Sequence, residues 1–145
     1  MMILAFIGGP HSAQETMAAQ LAKDLKGCFR VEHVNNDANN WTPVEKCDRL
    51  RRALSKRKAN DLVIIVTGIT LQRELDFLRW HKATICIPHA PLHSLFDDNP
   101  ITAADVFVCS RPGALDTPQK RKQYITPEEA FSACYSRLRG FKGVA

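Results

Sequence analysis

The stretch LVIIV at residues 62–66 sets the first limit on the fold. A strand with one wet face alternates apolar and polar residues. An unbroken apolar run needs cover on both faces, as a central strand of a parallel sheet has. The rest of the chain supplies what such a sheet needs. Runs at 2–7, 28–34, 83–88 and 104–110 read as further strands. Between them lie helix-period segments. Met17, Leu21 and Leu25 recur every four residues in a helix from about Ala13 to Lys26, ended by Gly27. Val44, Cys47, Leu50 and Leu54 make a second stripe, and Leu71, Leu75 and Leu78 a third. Ala130, Phe131, Cys134, Tyr135 and Leu138 make the inner face of a last helix. Strand alternating with helix predicts an α/β three-layer sandwich around a five-stranded parallel sheet.

Helix starts are marked three times. Thr42-Pro43-Val44-Glu45 and Thr126-Pro127-Glu128-Glu129 place a capping threonine before proline and glutamate. Ser12 and Glu15 have the spacing of a capping box as well. Residues 35–41 read as a loop, 89–100 as irregular chain or a short helix, and 111–125 as loop.

At 145 residues the chain is expected to be one domain, 1–145, with room for a real core. No stretch reaches the roughly 20 apolar residues of a membrane span. The run at 1–7 is too short, and lacks the basic leader, to read as a secretory signal. The expected location is cytoplasmic. The five cysteines are scattered, with no CxxC pair, and read as reduced core thiols. No metal-ligand cluster stands out, since His89, His93, Asp97 and Asp98 are better explained as turn and cap residues. The net charge is +5, with basic residues crowded at 46–58. On a helix this run is a solvated face or a nucleic-acid contact through Arg49, Arg52 and Lys56.

The segment ILAFIGGPHSAQET poses the functional question. Strand, two glycines, then helix is the layout of a phosphate-binding loop. Gly8, Gly9, His11, Ser12, Gln14, Glu15 and Thr16 are its candidate phosphate or nucleotide contacts. Such a loop usually ends in Gly-Lys and a hydroxylic residue. Here Ala13 and Gln14 stand in the first two places.

FIGGPHSAQETMAAQLA (6–22) and LVIIVTGITLQRELDFLRWHKATICI (62–87) together resemble the P-loop nucleoside monophosphate kinases. The viral deoxynucleoside monophosphate kinases are most similar. The first stretch resembles the family's loop ending in Ser-Gly-Lys-Asp-Thr. The second resembles its strand followed by Asp-Val-Arg-Phe-x-Asn-Glu, a helix and the next strand. ITAADVFVCSRPGALD (101–116) resembles the closing strand and loop. The resemblance implies a P-loop NTPase, nucleotide kinase-like fold, a viral origin, and a role for Arg111 near the adenine. It also shows what has changed. The family's lysine falls on Gln14, its acid after the third strand on Gly68, and its arginine two residues later on Thr70.

Phosphoryl transfer is mostly charge placement, so these losses point to a non-catalytic binding or regulatory module with a degenerate loop. No residue is assigned a catalytic or metal-binding role. A weakly held nucleotide or phosphate is the ligand class that suits the loop. The partner classes are a protein, nucleic acid along 46–58, or a second copy of the chain, and no membrane. Two other readings stay open. One is a working phosphotransferase with Gln14, Thr16 and Arg111 holding phosphate and Lys120, Arg121 and Lys122 supplying charge. The other is a nucleic-acid binder using the basic helix.

Overall fold

The computed structural model describes residues 2–36, 41–55, 61–89, 93–102, 104–109, 112, 115 and 117–143, with backbone alone at 120–121 and 137–143. Its elements are β1 (Met2–Phe6), α1 (His11–Leu25), β2 (Arg30–Asn35), α2 (Pro43–Leu54), β3 (Leu62–Thr67) and α3 (Gln72–Trp80). There follow β4 (Thr84–Pro88), α4 (Leu95–Asp98), β5 (Val106–Val108), α5 (Pro118–Gln123), β6 (Tyr124–Ile125) and α6 (Pro127–Gly143). The strands form one sheet in the order β2-β3-β1-β4-β5-β6, every pairing parallel.

The two central strands show why the apolar runs are unbroken. All of β1 and β3 is buried. Met2, Leu4 and Phe6 face one way and pack with Met17, Leu21 and Leu25 of α1 and Phe131 and Cys134 of α6. Ile3 and Ala5, with Ile7 just past the strand, face the other way and meet Leu50 and Leu54 of α2 and Leu75 and Leu78 of α3. Period-two alternation thus feeds two cores, one on each side of the sheet. Truncating a fully buried side chain such as Leu50 or Ile64 to alanine is expected to cost about 2–5 kcal/mol.

Four expectations are corrected. The sheet has six strands, because Tyr124 pairs with Phe107 and Ile125 with Val108. A two-residue edge strand leaves no periodicity to read. The segment 111–125 therefore contains α5 and β6, where loop was expected. Ser12 does not cap α1: the N-cap is Pro10, without a side-chain hydrogen bond, and Ser12 lies inside the helix. Val44 is 62% exposed, so the α2 stripe begins at Lys46 and Cys47. The other two caps hold. Thr42 Oγ1 accepts from Glu45 N at 3.2 Å, and Thr126 and Glu129 form a reciprocal box. The cysteines are free; Cys47, Cys86 and Cys134 are buried, Cys109 is half-buried and Cys28 is exposed.

Candidate functional site

Parallel sheets present ligands at the carboxyl ends of their strands, where β1, β2 and β3 end side by side here. After β1 the chain turns through Gly8 and Gly9, with φ of 101° and 69°. Only glycine takes such angles without strain. Space is not the constraint at Gly8, where an added Cβ would meet His93 Cβ at an ordinary 3.7 Å. Pro10 then starts α1, its carbonyl receiving the Ala13 and Gln14 amides.

Gln14 decides the character of the loop. One turn into α1, it is only 5% exposed and faces the loop. Its Nε2 donates to the Gly8 carbonyl at 2.7 Å, and its Oε1 accepts from the Gly68 amide at 3.1 Å. The amide cannot be turned over, since that would set an NH2 against the Gly68 N–H and an oxygen against the Gly8 carbonyl. Gly68 follows β3 with φ 76°. One neutral side chain thus ties the β1 loop to the end of β3.

A second cluster surrounds Glu15. Thr67 Oγ1, fully buried at the end of β3, donates to Glu15 Oε1 at 2.6 Å. Its proton is therefore engaged, and its lone pair is left to accept from His33 Nε2 of β2 at 3.1 Å. His11 Nε2 lies 3.2 Å and His33 Nε2 3.5 Å from the same carboxylate oxygen. Ser12 and Thr16 point outward, and Thr16 Oγ1 donates back to the Ser12 carbonyl.

A third cluster lies across Gly68. Lys46 of α2 is 8% exposed, with Nζ 2.7 Å from Thr70 Oγ1, 3.3 Å from the Gly68 carbonyl and 3.5 Å from Glu74 Oε1. Glu74 is fully buried, and Oε1 also accepts the Thr70 and Leu71 amides, closing the first turn of α3. Asn36, at the end of β2, donates to Glu74 Oε2 and to the Lys46 carbonyl. Burial first, then the Glu74 carboxylate, holds the nearby Cys47 thiol above its ordinary value.

The structure therefore brings together Gly8, Gly9, His11, Gln14 and Glu15, and leaves Ser12 and Thr16 at the surface. Arg49 and Arg52 are exposed on α2, away from this loop's hydrogen bonds. Lys56 and Arg111 lie outside the described residues. The sequence reading missed Asn36, His33, Lys46, Thr67 and Glu74. Lys46 was counted in the solvated basic run. Its spacing of four from Leu50 and eight from Leu54 sets it on the inner stripe. Thr67 carried a signal too, as a polar residue closing an apolar strand. Among the described residues, no group of three or more His, Cys, Asp or Glu could hold a metal ion. No described helix is long and apolar enough to cross a membrane.

No protein-family model matches the chain, and a search of curated proteins finds no match. Solved structures do match. The crystal structure of APE1195 aligns with a TM-score of 0.56 and 18% identity, covering 96% of this chain and 95% of that one. A gluconokinase from Sinorhizobium meliloti 1021 aligns with a TM-score of 0.50 and 11% identity, covering 98% and 97%. At such identities the likeness is one of fold. The chain has a P-loop kinase-like α/β fold with a parallel sheet.

Proposed function

We propose that the chain is a non-catalytic, single-domain relative of the nucleotide kinases, patterned on viral deoxynucleoside monophosphate kinases, and a binding or regulatory module of the host cytoplasm. The observation that carries this reading is the Gln14 bridge from Gly8 to Gly68. Phosphoryl transfer asks for a cation on the β and γ phosphates, an acid that holds magnesium, and cations around the transition state. Gln14 brings no charge, and one N–H and the oxygen of its amide are engaged by Gly8 and Gly68. Drawing it out would strand two backbone groups, at about 1–3 kcal/mol for each that stays buried. Glu15 adds a carboxylate beside the loop, against a polyphosphate. Gly68 and Thr70 stand where the resemblance expects an acid and an arginine. An ATP–magnesium pair does not fit this residue set.

A second reading, a phosphotransferase with a remodelled site, is favoured by one observation. The Lys46 ammonium stands at Thr70, the position of the expected arginine. Glu74 opposes it, because a lysine neutralised by a buried carboxylate offers less to a phosphate. The test is a phosphotransfer assay with ATP, magnesium and each deoxynucleoside monophosphate, beside thermal melts with the same ligands. The first reading expects no turnover and no rise in Tm. Turnover in the ordinary kinase range of about 1–100 s⁻¹ establishes the second. A Tm rise of several degrees without turnover establishes a nucleotide-binding module.

A further inference from the structure

We propose that the exposed edge of α2 binds single-stranded nucleic acid, with Arg49 and Trp41 as a stacking platform and Arg52 as a phosphate contact. The guanidinium of Arg49 lies over the Trp41 ring, 4.0 Å from its centroid. An Arg plane held on an aromatic face is a surface on which an unpaired base stacks. Arg52 follows one turn along the same edge and is exposed. Asp48 is paired with Arg51 at 2.6 Å, and Glu45 is exposed on the same helix. The sequence continues with Lys56, Arg57 and Lys58, outside the described residues.

The chemistry favours a nucleic acid over a lipid surface. A membrane-seeking helix needs a free apolar face. The apolar face of α2, Cys47, Leu50 and Leu54, is buried in the protein. A single strand is favoured over a duplex because only unpaired bases offer faces for stacking. The proposal does not depend on the state of the Gln14 loop.

The experiment is fluorescence anisotropy with a labelled oligothymidylate at 50–200 mM salt, with the matching duplex and anionic phospholipid vesicles as comparisons. Binding is expected to weaken linearly on logarithmic axes, with a slope of about −0.7 for each phosphate neutralised. Arg52→Gln should flatten the slope by about 0.7 and weaken binding several-fold. In a Trp80→Phe background, the oligonucleotide should quench Trp41 fluorescence, and Arg49→Gln should reduce that quenching. Both arginines are exposed, so circular dichroism is expected to show the variants folded. The proposal is overturned by absence of salt-dependent binding, by binding indifferent to both substitutions, or by equal preference for duplex or vesicles.

Discussion

Gln14 and Gly68 are joined by a hydrogen bond from the Gly68 amide to Gln14 Oε1 at 3.1 Å, while the other end of the same side chain holds the Gly8 carbonyl. The loop after β1 and the turn after β3 are thereby one unit. Lys46 grips the opposite side of the Gly68 peptide through its carbonyl. The loop that the proposed function compares with a kinase's phosphate loop is cross-tied by the chain's own side chains.

Gln14→Ala should destabilise the fold by about 2–4 kcal/mol, because it strands the Gly68 amide and the Gly8 carbonyl in a buried setting. Gln14→Lys should also destabilise it, since an ammonium has no acceptor for the Gly68 N–H. Urea denaturation of both variants checks this. A loss below about 0.5 kcal/mol in both would mean the bridge is not formed.

The Lys46–Glu74 pair should show strong coupling. Removing one partner leaves a buried charge and typically costs about 3–5 kcal/mol. Lys46→Met and Glu74→Gln should each be severe, and the double variant milder than the sum of the two. A double-mutant cycle by denaturation measures this, and additive losses would contradict it.

Thr67→Val should cost less than Gln14→Ala, about 1 kcal/mol. Glu15 and His33 are each about one-third exposed, so water replaces the lost hydroxyl. A cost equal to that of Gln14→Ala would show the Glu15 cluster to be sealed from solvent.

The thiols should differ sharply in reactivity. Cys28 is exposed, whereas burial raises the pKa of Cys86 and Cys47. Maleimide labelling at pH 8, read by peptide mapping, should modify Cys28 first and leave Cys86 and Cys47 intact until unfolding. The linkage has a definite sign. Both thiols keep their protons in the fold at a pH where the unfolded chain loses them. Their contribution is whole below the ordinary value of 9.0 and declines as pH rises above it. Stability that grew between pH 9 and 10.5 would contradict this.

Much of the scaffold was legible because it rests on patterns that repeat. The apolar run at 62–66 and the stripe Met17, Leu21, Leu25 belong to elements buried on predictable faces. The edge strand at Tyr124–Ile125 was not legible, since pairing with β5 rather than local pattern creates it. The site was half legible. The glycines marked a turn after β1, but no local rule shows where the Gln14 side chain will turn. Its partner Gly68 lies 54 residues away. Ser12 and Glu15 matched a capping pattern, yet Thr67 and two histidines compete for that carboxylate and win. Lys46 was hidden by its neighbours, because a basic run reads as solvated until the helix phase is applied.

The most direct test of the closed loop is an NMR titration with ATP and magnesium, following the Gln14 side-chain amide and the Gly8, Gly9 and Gly68 backbone amides. These signals should stay in place up to millimolar nucleotide, and the Gln14 amide protons should remain protected from exchange. Saturable shifts at Gly8 and Gly9, with Gln14 released to solvent, would contradict it.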